Sequence, residues 1–194
     1  GLDTGTPDGS VPTANINTVT SLDISNDSIY DLTGIAAFTA LKYLNASNNR
    51  IDSFEFSQNI ALSSLNTSNQ YDLVFDHFLG MMRVPRSVSL ELTQNINLID
   101  LNVSSVVINE MDLSQNTMLE YLEINNSIID SIDLSHNFNL KELNSESIST
   151  NELDLSQNTE LEYINSDLLT KLDRVVLLLP GAQIIPRMIA MTTT

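Results

Sequence analysis

Apolar residues recur along this chain at a fixed long interval, and not in the 3.6-residue rhythm of an amphipathic helix. The pentad Asp-Leu-Ser-x-Asn marks the interval: it stands at Asp112–Asn116, Asp133–Asn137 and Asp154–Asn158, each copy 21 residues after the last. Alignment on the pentad extends the repeat to units that begin at Val19, Leu41, Leu62, Leu98, Leu119, Leu140 and Leu161. Within a unit, positions 4 and 6 (Leu122 and Ile124, for example) are apolar in most copies, while positions 3, 5 and 7 carry polar groups. A period of two predicts a short half-buried strand, over Tyr43–Asn45, Ser64–Asn66, Asp100–Asn102, Tyr121–Glu123 and Glu142–Asn144. Positions 14 and 16 (Met111 and Leu113) alternate again among Asp, Ser and Asn, which predicts a second extended segment bounded by turns. So short a unit has no room for a full helix besides a strand and two loops. Each unit can bury its Leu/Ile face only against its neighbours, so the pattern predicts a stack of about seven coils. Roughly three suffice for stability.

The unit resembles the leucine-rich repeat, L-x-x-L-x-L-x-x-N-x-L; "LKYLNASNNRI" (Leu41–Ile51) fits it at every position but Ala46. From Val19 to about Leu172 the resemblance implies a leucine-rich-repeat solenoid of the right-handed β-α superhelix type, β-rich with little helix. Parallel strands would form its concave face, and extended or turn segments its convex face. More narrowly, "DLTGIAAFTALKYLNASNNRIDSFEFSQN" is similar to the short-repeat, internalin-like proteins that bacteria secrete or anchor on their surface, which typically read "LDVSxNTxLTYLxCSxN". This chain departs by placing Ala46, Thr67 and Ser145 where that pattern often has cysteine. It also loses the position-9 asparagine after Asn49, having Gln70, Val106, Ser127, Ile148 and Leu169 there. A continuous ladder at position 9 is therefore not expected, and Asn26, Asn48, Asn69 and Asn126 at position 8 are expected to substitute for it in part. The resemblance implies an extracytoplasmic location, secreted or anchored at the cell surface or outer membrane.

Composition narrows the chemistry. The 194 residues carry 25 acids against eight Lys and Arg, a formal charge of −17, and 42% hydrophobic residues. Nucleic acid is a poor partner for such a surface, because phosphate neutralisation needs basic groups. Without cysteine, neither disulfides nor thiol chemistry are available. No apolar run is long enough to span a membrane. The polar, Gly/Pro/Thr-rich residues 1–18 read as an N-terminal linker, not a signal peptide, and suit a segment that follows a removed signal or anchor. Fourteen acids against Lys141 alone lie between Leu98 and Asp167, so this stretch carries −13 of the −17.

Three roles are conceivable for the pentad. Nucleophilic catalysis by its serine needs a base; the chain has only His77 and His136, and the equivalents of His136 are Gln115 and Gln157. A metal ladder along Glu55, Glu91, Asp112, Asp133 and Asp154 would need six to eight oxygens for calcium, which leaves at most weak surface binding. A turn is the expectation: Asp, Ser and Asn beside a bend accept backbone N–H bonds that no ladder satisfies. Asn59, Asn95, Asn116, Asn137 and Asn158 would share this job, supported by Ser57, Ser114, Ser135 and Ser156.

The 36-residue step from Leu62 to Leu98 holds an insertion at about 70–89, "QYDLVFDHFLGMMRVPRSVSL" (Gln70–Leu90). It reads either as a longer connection that packs its apolar residues on the array or as a functional protrusion. After Leu172 the pattern stops, and residues 173–194 are expected to form a β-rich cap over the open sheet edge. The stretch around Gly34 is expected to open the array with a short helical turn.

Positions 3 and 5 give the candidate binding residues of the concave face: Tyr43, Asn45, Asp100, Asn102, Tyr121, Glu123, Glu142, Asn144, Tyr163 and Asn165. Glu146 and Asp167 at position 7 extend the acidic half. The expected role is a non-enzymatic module that binds a protein with a basic surface. Tyr is an effective anchor in interfaces. Glycan binding and a spacer role in a longer surface protein are the alternatives. No cofactor is expected, and the chain is expected to be monomeric.

Overall fold

The computed structural model describes residues 12–150, 153–166, 175–176 and 183–184. Chain order gives a helical turn at Thr13–Ile16 and then short strands: β1 (Ser21–Asp23), β2 (Tyr43–Asn45), β3 (Ser53–Glu55), β4 (Ser64–Asn66), β5 (Tyr71–Asp76), β6 (Gly80–Pro85), β7 (Ser89–Glu91), β8 (Asp100–Asn102), β9 (Val107–Ile108), β10 (Tyr121–Glu123), β11 (Ile128–Ile129), β12 (Glu142–Asn144), β13 (Leu153–Asp154), β14 (Tyr163–Asn165), β15 (Val175–Val176) and β16 (Gln183–Ile184). The five strands predicted from period-two alternation have these same bounds. A 3-10 turn, Ile35–Ala37, opens at Gly34, whose φ of 96° suits a residue without Cβ.

One strand from each coil joins an eight-stranded sheet in the order β1-β2-β4-β8-β10-β12-β14-β16. Every pairing is parallel, and identical repeat positions face one another, as Leu22, Leu44 and Leu65 do. The register is fixed by burial: a slip of one residue would expose the leucine column and bury Asp100 or Glu142. Leu101, Leu122 and Leu143 are fully buried beneath this sheet, each burial being worth about 1.5–3 kcal/mol.

The opposite wall is built from positions 14–16. Phe54 pairs with Leu90, and Phe56, Leu92, Leu113, Leu134 and Leu155 close the core from that side. The insertion adds no extra step to the stack, since Asn66 pairs directly with Asn102 across 36 residues. At the far end, β15 and β16 extend the two walls in parallel register with β13 and β14. The remainder of the expected C-terminal cap, and residues 1–11 of the expected linker, lie outside the described residues. Within that linker, Thr13–Ile16 is folded and Ile16 is buried.

The turn between the main strand and the opposite wall has its own signature. Position 8 takes a left-handed backbone in coil after coil: Asn26, Asn48, Asn69, Ser105, Asn126 and Ser147 all have φ between 56° and 62°. Asparagine tolerates that region better than most residues. These asparagines therefore bend the chain, and they do not stand in for the missing position-9 ladder as expected. That ladder is carried by Asn49, whose Nδ2 donates to the Ile24 and Ala46 carbonyls, and by Gln70, whose Nε2 donates to those of Ala46 and Thr67. It is interrupted at Val106, and Ser127 resumes it by donating to the Val103 carbonyl at 2.8 Å.

Candidate binding face

The main sheet brings the ten candidate residues into two columns. In the position-3 column, Tyr121 sits directly between Asp100 and Glu142, and Glu142 between Tyr121 and Tyr163. Tyr43 and Tyr121 are exposed, 54% and 38%. In the position-5 column, Asn45, Asn102, Glu123, Asn144 and Asn165 are half-buried.

Several of these polar groups are already committed locally. Asn45 Oδ1 accepts from the Ser47 amide (3.2 Å) and hydroxyl (2.7 Å), and Asn102 Oδ1 accepts from the Ser104 amide at 3.0 Å. Asn102 Nδ2 donates to Glu123 Oε2 at 2.6 Å, a short charge-assisted bond. Upstream, Ser64 Oγ bonds Asp100 Oδ2 at 3.0 Å. The carboxylates are held in place, but by neutral donors, so their charge stays on the surface. Lys141, the single basic residue of the stretch, is taken up by Glu120 at 2.8 Å. That hydrogen bond raises the lysine pKa. Among the described residues no cation pairs with Glu123 or Glu142. Asp167, the last of the predicted acids, lies outside the described residues.

The pentad lies on the opposite wall. Its asparagines are fully buried, and the direction of their bonding corrects the sequence-based expectation. Asn116 Nδ2 donates to the carbonyls of Leu92 (3.1 Å) and Asn95 (2.9 Å), and Asn137 to those of Leu113 (3.1 Å) and Asn116 (3.0 Å). Asn59, Asn95 and Asn158 do likewise. They give a second donor to carbonyls of the preceding coil that already accept a backbone N–H, as Leu113 does from Asn116 and Asn116 from Leu119, and they accept no backbone N–H themselves. The acids play the part assigned to them: Asp112, Asp133 and Asp154 each accept the backbone N–H two residues on, at 2.8–2.9 Å. These bonds lower the Asp112 and Asp133 pKa values, and this outweighs the repulsion of Asp112 by Asp133. Among the described residues, no three His, Asp or Glu side chains converge as a metal site. Ser135 Oγ lies 3.1 Å from His136 Nδ1. Asp133 accepts the Ser135 backbone N–H at 2.8 Å.

No family model matches the chain, and no curated protein sequence matches it. Solved structures do. The functional domain of InlJ from Listeria monocytogenes, which includes a cysteine ladder, has a TM-score of 0.59 at 27% identity, over 81% of this chain and 36% of that one. An internalin, InlF, from the same species has 0.55 at 18% identity, over 91% of this chain and 58% of that one. A leucine-rich-repeat protein of Leptospira interrogans has 0.52 at 17% identity, over 89% and 51%. The fold is an internalin-like leucine-rich-repeat solenoid.

The chain thus spans about a third to three-fifths of these relatives' lengths. InlJ includes a cysteine ladder, whereas this chain has no cysteine. The insertion interrupts the repeat of this chain. Val88 packs in the core of the array, but residues 71–85 do not lay their apolar side chains on it. They form an antiparallel hairpin in which Phe75 pairs with Met81 and Leu73 with Arg83, reversing at Gly80 (φ 78°). Arg83 stacks over Tyr71 at 4.2 Å, and Arg86 bonds Asp72 (2.9 Å) and Asp52 (3.2 Å), fixing the base to the neighbouring coil. The signal was in the sequence: two β-prone runs around a short Gly-containing loop read as a hairpin. Among the described residues no helix is long and apolar enough to cross a membrane.

Proposed function

We propose that the solenoid is a non-enzymatic protein-binding module of a secreted or surface-anchored bacterial protein, with its main, concave sheet as the binding face. One observation carries the reading: Tyr121 is exposed in register between the carboxylates of Asp100 and Glu142, with Tyr163 on the far side of Glu142. An aromatic plane flanked by carboxylates suits a Lys or Arg side chain, which pairs with the acids and stacks on the ring. The formal charge of −17 would steer such a partner in before contact. Internalin-like relatives support the interaction role, and the resemblance supports the extracytoplasmic setting.

The test is capture of proteins from the native environment on the immobilised chain, with the double variant Tyr121→Ala/Tyr163→Ala as comparison. A specific partner retained by the wild type and released by the variant supports the concave face. Equal retention by both sinks it. A glycan reading shares the Tyr and Asn chemistry, and a hit on a glycan array that depends on the same tyrosines would replace the protein partner with a sugar.

A further inference from the structure

The hairpin of β5 and β6 is an exposed apolar surface on a very acidic molecule, and none of the other described strands pairs with it. Phe78 at its tip is 92% exposed, Leu79 73%, Phe75 70% and Met81 62%. Antiparallel register puts Leu73, Phe75 and Met81 on one face together with the stacked Tyr71 and Arg83. The other face carries Val74, Met82 and Val84 between Asp72 and Asp76, none of them as exposed as Phe75 or Met81. The tip is built, not frayed: Asp76 Oδ1 accepts the backbone N–H groups of Phe78 and Leu79, both at 2.8 Å.

We propose that this aromatic face and tip are a self-association surface, on which a second copy of the chain docks hairpin against hairpin. Charge favours a second copy. Residues 71–86 hold two acids and two arginines, so the hairpin is electroneutral on a chain of −17. It is therefore a place where two such molecules can meet without juxtaposing carboxylates. Its six-residue strands reach about 20 Å, which keeps the acidic bodies further apart than the screening length of about 8 Å. A basic partner, in contrast, would be drawn to the acidic sheet.

Area agrees. Leu73, Phe75, Phe78, Leu79 and Met81 together expose on the order of 600 Å², at the upper end of what a monomer normally shows. Two such patches buried on each other come to about 1,200 Å², the lower bound of a standard stable interface. The face is also self-complementary. In a two-fold stack, Phe75 of one copy can meet Met81 of the other, a favourable sulfur–aromatic contact. The association is expected in the micromolar range, in place of the monomer expected from the repeats alone.

Sedimentation velocity of the whole chain between about 1 and 200 µM tests this. A concentration-dependent dimer is expected for the wild type. The variant Phe75→Ser/Phe78→Ser is expected to weaken it at least tenfold, with unchanged circular dichroism because both side chains are exposed. Ile60→Ser/Ile96→Ser, which removes exposed apolar residues away from the hairpin, is expected to leave the dimer intact. Raising salt is expected to leave it intact or tighten it, since the burial is apolar and the bodies repel. A chain monomeric at every concentration overturns the proposal, as does a dimer indifferent to the Phe75/Phe78 variant. Phosphatidylcholine vesicles are the third arm: a monomer that floats with them through the same two phenylalanines assigns the hairpin to a lipid surface instead.

Discussion

The side-chain nitrogen of Asn137 lies 3.0 Å from the carbonyl oxygen of Asn116, the residue one coil earlier in the same column. A second carbonyl, that of Leu113, lies 3.1 Å away. Asn137 is fully buried, and its own Oδ1 has no partner. Replacing it by alanine removes two hydrogen bonds between coils and leaves each carbonyl only its backbone donor, the N–H of Asn116 or of Leu119. The cost is expected to be about 1–3 kcal/mol, read as a lower urea midpoint. Asn137→Asp is expected to be worse, because a carboxylate would face two carbonyl oxygens. Exposed His136, its neighbour, is expected to change to Gln silently. If His136→Gln lowers the midpoint more than Asn137→Ala does, the ladder is not what holds adjacent coils.

Position 6 gives a prediction of opposite sign. The hydroxyls of Thr67 and Ser145 are buried without a hydrogen-bond partner, in a column that is apolar in other coils, as at Val103 and Ile124. A buried unsatisfied hydroxyl costs about 1–3 kcal/mol. Thr67→Val keeps the shape and removes the hydroxyl, so it is expected to stabilise by about 1 kcal/mol. Ser145→Ala is expected to be neutral or mildly stabilising. A loss above about 1 kcal/mol in either variant would show that the hydroxyl is bonded after all.

Much of this was legible before the structure, for a steric reason. Period two is the geometry of a strand, so the alternation of Leu122 and Ile124 with Tyr121 and Glu123 located β10 to the residue. The pentad marked a turn because Asp and Ser beside a bend bond their own backbone, as Asp112 does. What could not be read was the direction of the asparagine bonds. An amide offers both a donor and an acceptor, and the choice depends on which backbone groups of the preceding coil face it. The exposure of the hairpin is hidden in the sequence for a different reason. Phe75 and Phe78 look like core residues, and only the pairing of β5 with β6 shows that they have no core to enter.

Acidification tests the carboxylate turns. The Asp112 and Asp133 pKa values are lowered, chiefly by the N–H groups of Ser114 and Ser135, then by those serine side chains. A group with a depressed folded pKa contributes stability that is present above the unfolded value, about 3.9. That stability is lost as pH falls through the folded value. Acid also relieves the repulsion of a −17 chain, so the wild-type melting curve alone mixes two effects. The gap in Tm between wild type and Asp133→Ala separates them. It is expected to favour the wild type at pH 7, and to narrow below about pH 4 towards zero. A gap constant from pH 7 to pH 2.5 would mean that the side chain acts by packing and not by its charge.

Salt and two tyrosines test the proposed binding face together. Tyr121 and Tyr163 lie two strands apart, roughly 10 Å, with Glu142 paired between them. A partner lysine or arginine seated there would touch both rings and at least one carboxylate. Once a partner is in hand, Tyr121→Ala is expected to cost more than about 1 kcal/mol of binding. Asp112→Asn, on the opposite wall, is expected to cost little. Affinity is expected to fall as salt rises, because exposed charges are screened within about 8 Å at physiological ionic strength. Hairpin self-association is expected to respond in the opposite sense, so one titration separates the two surfaces. If partner binding survives both tyrosine variants and disappears with Phe75→Ser/Phe78→Ser, recognition belongs to the hairpin, and the acidic sheet serves only to keep the molecule in solution.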